Sequence, residues 1–69
     1  MLPFAFHYEY KDGTSQFREY LFDHSSSAWL YALRMMHTVD GILRCTVIDE
    51  DGVQITELYR PGVYVHEGV

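Results

Sequence analysis

Aromatic and polar positions alternate at the start of the chain: Phe4, Phe6, Tyr8 and Tyr10 are separated by Ala5, His7, Glu9 and Lys11. A period of two carried by ring side chains predicts a strand with one buried face. Asp12-Gly13 follows as a turn, since glycine reaches positive φ without steric cost, and Ser15–Phe22 reads as the return strand. A two-residue loop sets Tyr8 opposite Phe17 and Phe4 opposite Leu21. A three-residue loop moves every pair by one. The first register gathers more aromatic residues on one face and is the one expected.

The period then changes. Asp23-His24-Ser25-Ser26-Ser27 is rich in residues whose oxygens can accept hydrogen bonds from first-turn N–H groups, and a helix is predicted over about Ser26 to Thr38. Trp29, Ala32, Leu33 and Met36 fall at helical spacing as the buried stripe, flanked by Ala28, Met35 and Val39. Ser27, Arg34 and His37 mark the wet side, with Leu30 among them, and Gly41 is placed to close the helix in a left-handed conformation.

A second hairpin follows. Ile42–Asp49 is β-branched, Glu50-Asp51-Gly52 reads as a turn, and Val53–Tyr59 as the partner strand. A three-residue loop there puts Leu43, Cys45 and Val47 beside Ile55 and Tyr59. Pro61-Gly62 is a further turn signal, and Val63-Tyr64-Val65 can add a short fifth strand. The expected fold is α+β in the order β-β-α-β-β: an antiparallel sheet of four strands with one amphipathic helix on one face.

Length makes this a single domain spanning residues 1–69. A chain of this size buries only about 60% of its unfolded surface and commonly needs a staple or a partner. Cys45 is the only cysteine, so no disulfide forms within the chain, and a lone thiol in a strand fits a reducing, cytoplasmic location. Yet 48% of the residues are hydrophobic, including six Tyr, four Phe and one Trp. One short helix cannot cover that much apolar surface. An exposed apolar patch is therefore expected, filled most simply by a homodimer. Tyr8, Tyr10, Tyr20, Tyr31, Tyr59 and Tyr64 are the candidate interface residues, because tyrosine buries large area at little rotamer entropy.

Charge narrows the partners. Ten acidic residues against five basic give a net charge of −5, which repels phosphate backbones and argues against direct nucleic-acid binding. No apolar run is long enough for a membrane span, and the first residues lack the basic and long apolar regions of a signal peptide. The partner expected is another protein.

Chemistry is sparse. His7, His24, His37 and His66 show no local metal-ligand spacing, and no metal or other cofactor is expected. Asp49-Glu50-Asp51-Gly52 begins like a calcium loop but has Gln54 at its sixth position and Arg60 at its twelfth, so it reads as an acidic turn. Cys45 is predicted to face the core, away from the electropositive exposure that activates thiols. Ser25, Ser26 and Ser27 lack a nucleophile elbow. Glu19 and Glu57 fall, in the expected registers, on the otherwise apolar faces of their hairpins. That placement suggests a polar site at the sheet edge, or pairs with Arg18, Arg44 or Arg60 across a subunit boundary.

These features point to a non-enzymatic interaction module acting by stoichiometric binding, of adaptor or inhibitor type. In size and layout the chain resembles many short proteins of phages and mobile elements, some of which block host defence complexes. The resemblance rests on length and strand order alone and implies no residue roles. Two alternatives remain. An acidic mimic of nucleic acid would line Glu9, Asp12, Asp23, Asp40, Asp49, Glu50 and Asp51 along one face. A small-ligand binder or enzyme would need a deep pocket between subunits.

Overall fold

The computed structural model describes residues 1–60. Four strands and one helix follow in order: β1 Leu2–Tyr10, β2 Ser15–Phe22, α1 Ser25–Thr38, β3 Ile42–Ile48 and β4 Gln54–Tyr59. The strands form one antiparallel sheet, as expected, and their order in it is β2-β1-β3-β4. The suggested strand Val63-Tyr64-Val65 lies outside the described residues.

Both hairpins turn in the same way. In the first, the Tyr10 N–H donates to the Thr14 carbonyl (2.9 Å) and the Gly13 N–H to the Tyr10 carbonyl (3.0 Å). In the second, Asp49, Val53 and Gly52 repeat that pattern at 2.9 and 3.0 Å. Gly13 and Gly52 stand at φ +90° and +81°, and no other described residue has a positive φ. An aspartate side chain braces each loop. Asp12 Oδ1 accepts from the Thr14 N–H and hydroxyl, and Asp49 Oδ1 from the Asp51 and Val53 N–H groups.

The first hairpin thus has the three-residue loop, and the expected two-residue register is wrong. A two-residue turn over Asp12-Gly13 would need both residues at positive φ, and Asp12 does not supply one. The observed pairs are Phe4 with Tyr20, Tyr8 with Gln16 and His7 with Phe17. A shift of one reverses every side chain of β2. Tyr20 and Phe22 therefore join the helix side, and Phe17, Glu19 and Leu21 turn to the other.

The second hairpin has the expected loop but carries a bulge between Val47 and Ile48, where the partner skips from Thr56 to Gln54. Cys45 consequently meets Leu58, and Tyr59 meets Arg44. Leu58, not Tyr59, packs on the core. A second bulge, between Glu9 and Tyr10, buries Ile42 and leaves Leu43 in a surface groove with His7 and Glu9.

The core is Phe4, Phe6, Tyr8, Ala28, Ala32, Met36, Ile42, Cys45 and Val47. On the helix, Ala28, Ala32 and Met36 make the contact line: Ala32 and Met36 belong to the expected stripe, while Ala28, expected as a flank, is buried in place of Trp29 and Leu33 is only half-buried. Two alanines let the backbone sit close to the sheet. This packing brings Tyr31 over the first hairpin, with ring centroids 5.6 Å from Phe6, 5.0 Å from Tyr20 and 5.6 Å from Phe22. Trp29 is left at the rim, 41% exposed, beside Ile55.

The helix ends also differ from expectation. It starts at Ser25, and no side chain caps its first-turn N–H groups. The serine hydroxyls are engaged elsewhere: Ser27 donates to Asp23 Oδ1 at 2.8 Å and Ser26 bonds His24 Nδ1 at 2.6 Å. The Ser27 hydroxyl is the main cause that holds the Asp23 carboxyl below its usual range. At the other end, extended Val39 terminates the helix and Gly41 does not enter the left-handed region. The terminal carbonyls are met instead by Arg60. Its guanidinium donates to Met36 O (2.8 Å), Val39 O (2.7 Å) and Ile42 O (2.8 Å). A cation at the negative end of the helix, bonded to carbonyls of both helix and sheet, fixes how the two layers meet.

Replacing Arg60 with Ala should lower the unfolding free energy by about 1–3 kcal/mol, the range for charge-assisted bonds to partly buried acceptors. Arg60→Lys should recover only part of it, because an ammonium cannot span three carbonyls in a fixed fork. Urea denaturation of both variants checks the order.

Candidate interaction surface

The helix covers one side of the sheet, and strand alternation gives the other side its composition. β1 contributes Pro3, Ala5, His7 and Glu9, β2 Ser15, Phe17, Glu19 and Leu21, β3 Arg44, Thr46 and Ile48, and β4 Glu57 and Tyr59. No described element packs over this side.

The two halves of this face differ in chemistry. Toward β3 and β4 the charged side chains pair with one another, while Arg44 Nε is buried without a hydrogen-bond partner. Arg44 lies between two carboxylates, bonded to Glu9 and, at 3.2 Å, to Glu57. Its guanidinium also sits 5.9 Å from the centroid of the Tyr59 ring. The bond to Glu9 contributes most to raising the Arg44 pKa above its ordinary value. Tyr59 is raised as well, chiefly through Glu57, with Arg44 acting in the opposite direction.

The half on β1 and β2 has no comparable closure. Phe17 is 67% exposed and Leu21 58% exposed, and they lie opposite His7 and Pro3. One face of the Phe17 ring stacks on His7 at 4.4 Å with planes 10° apart.

The tyrosines singled out in the sequence take other places. Tyr8 is a core residue, only 1% exposed, and cannot serve as a surface contact. Its hydroxyl is buried without a well-formed hydrogen bond, and burial pushes its ionisation far upward. Tyr20 and Tyr31 are half-buried in the aromatic cluster under the helix. Tyr10 donates its hydroxyl to Gln16 Oε1 at 2.9 Å, and Tyr59 belongs to the Arg44 group. Tyr64 and His66 lie outside the described residues.

Glu19 and Glu57 are both on the uncovered side, not on the apolar faces expected for them. The shifted register moves Glu19 and the bulge moves Glu57. Glu19 is exposed and Glu57 is held by Arg44 within the chain. Phe17 and Leu21, the exposed apolar pair, were missed because the wrong loop length turned them inward. The signal was present: Lys11-Asp12-Gly13 and Glu50-Asp51-Gly52 share the same loop pattern.

Cys45 is fully buried, and burial pushes its thiol up to about 12, far from an activated thiolate. Among the described residues no group of three or more His, Cys, Asp or Glu side chains is placed to hold a metal ion. The strand directions put Asp12 and Asp40 at one end of the sheet and Asp23, Asp49, Glu50 and Asp51 at the other, while Glu9 is paired with Arg44. These carboxylates do not line one face. No described helix is long and apolar enough to cross a membrane. No family model matches the chain, and neither curated proteins nor solved structures provide a match.

Two substitutions probe this description. Tyr8→Phe should leave stability unchanged or raise it by about 1 kcal/mol, because it removes a buried hydroxyl that lacks a good partner. Arg44→Met should destabilise by about 1–3 kcal/mol near neutral pH, since Glu9 and Glu57 would then face each other without their cation. Denaturant melts of both variants near neutral pH test the sign.

Proposed function

We propose that the protein is a non-enzymatic interaction module of adaptor or inhibitor type, acting by stoichiometric binding to another protein and itself homodimeric. The observation that carries this reading is the uncovered apolar half-face, where Phe17 and Leu21 project from β2 at 67% and 58% exposure. Apolar side chains of this size, four residues apart on one strand with Glu19 between them, suit a contact that releases water over a flat surface. The neighbouring Glu9–Arg44–Glu57 group is already internally paired, so it supplies register and selectivity more than affinity. The free, buried Cys45 fits a reducing compartment, and a cytoplasmic location belongs to the same proposal.

Light scattering at micromolar concentration should give twice the chain mass for the wild type. The double variant Phe17→Lys, Leu21→Lys should run as a monomer that keeps its circular dichroism and cooperative unfolding, because both positions are exposed within the chain. A monomeric wild type, or a double variant that keeps the dimer mass, contradicts the reading.

A further inference from the structure

The proposed dimer needs a contact surface, and the two edges of the sheet are not equivalent. β4 is interrupted by the bulge opposite Val47 and Ile48, a feature that bends an edge away from further pairing. β2 has none: its ladder with β1 runs from Leu2–Phe22 to Glu9–Ser15 without a register shift, and it contains no proline. The helix lies chiefly over β3 and β4, and residues 15–19 of β2 are exposed.

The outward backbone of β2 can be assigned. Tyr10 and Thr14 form a hydrogen-bonded pair at the turn. Alternation along an antiparallel ladder then directs Gln16, Arg18 and Tyr20 toward β1 and leaves Ser15, Phe17, Glu19 and Leu21 with N–H and C=O groups pointing outward. Pro3 sits at a position whose N–H would not face β2, which agrees with this phase.

We propose that two copies of the chain join by antiparallel pairing of their β2 edges, with Phe17 on the two-fold axis, so that two four-stranded sheets become one of eight. This rests on the homodimeric reading above and names its contact strand. Charge selects the register. An axis at Arg18 sets two guanidinium groups face to face, and an axis at Glu19 does the same with two carboxylates; like charges directly opposite destabilise a sheet. Axes farther out, on Gln16 or Tyr20, set Phe17 against Ser15 or Glu19 against Leu21. With the axis at Phe17, Glu19 of one copy meets the Ser15 hydroxyl of the second, and Arg18 meets the Gln16 amide. Phe17, stacked on His7 through one face only, gains the Phe17 ring of the second copy on its other side. The apolar half-faces of the two copies then run together as a single strip across the seam, available to a further protein.

Single-cysteine cross-linking distinguishes the registers. Paired residues on a two-fold axis have Cα atoms about 5.5 Å apart, within disulfide range, and the native Cys45 thiol is buried and does not compete. Under mild oxidation, Phe17→Cys should form a covalent dimer at least tenfold faster than Arg18→Cys or Glu19→Cys. Phe17→Pro, which removes an outward N–H without touching the β1 ladder, should abolish the dimer while circular dichroism and cooperative unfolding persist. Preferential cross-linking at Arg18 or Glu19 overturns the register. A dimeric wild type with no cross-link at any of the three positions overturns the Phe17 axis, and a Phe17→Pro protein that stays dimeric overturns the edge contact; either leaves the homodimeric reading standing. A monomeric wild type removes both.

Discussion

Each hairpin in this chain has one residue that can adopt positive φ, and that limit decides where the aromatic side chains go. With Gly13 alone in the left-handed region, the turn from β1 to β2 must take three residues, and the pairing that follows puts Tyr20 and Phe22 over the same face as Phe4, Phe6 and Tyr8. The rings meet edge-on as well as side by side: Phe6 stands 82° to Tyr20 and 85° to Tyr31. Such geometries add to what burial alone contributes. The same turn sends Phe17 and Leu21 to the side that no described element covers. Core and sticky surface are two consequences of a single backbone constraint.

The helix adapts to the sheet the hairpin makes. A stripe through Trp29 and Leu33 would be the more hydrophobic choice on composition, but it would hold the helix away from the sheet by the width of an indole. Packing through Ala28 and Ala32 brings the layers close and gives Tyr31 a place among Phe6, Tyr20 and Phe22. Arg60 then ties the last helical carbonyls to the start of β3. In a domain with no disulfide, a few such cross-layer ties have large leverage over marginal stability.

Element order and type were legible because the periods are strong: two in the first strand, 3.6 in the helix, and Asp-Gly punctuation in both hairpins. What sequence did not reveal is phase. Periodicity marks alternate residues of β2 without saying which set faces the helix, and only the loop length decides. The helical pattern likewise allows two overlapping stripes, and the choice between Trp29 and Ala28 depends on the shape of the sheet beneath. The six tyrosines were read as surface because they are numerous, yet Tyr8 is core and Tyr20 and Tyr31 are part of its cover. On the side away from the helix, the large apolar exposure belongs to Phe17 and Leu21 and not to these tyrosines.

The uncovered side also bears on why a sheet with a bare face should be so uneven. A face meant only for water would carry charge throughout, whereas here most of it is gathered in one group, a single Arg44 cation between the carboxylates of Glu9 and Glu57. On the β1 and β2 half, Phe17 and Leu21 share the face with His7, Ser15 and Glu19, and Glu19 lies between them on the same strand, so burying the two apolar side chains also means desolvating that carboxylate. In the proposed contact that carboxylate is the selective element. A partner that offers it a hydrogen-bond donor can close over both apolar side chains, and one that offers only more hydrocarbon must bury an unpaired charge.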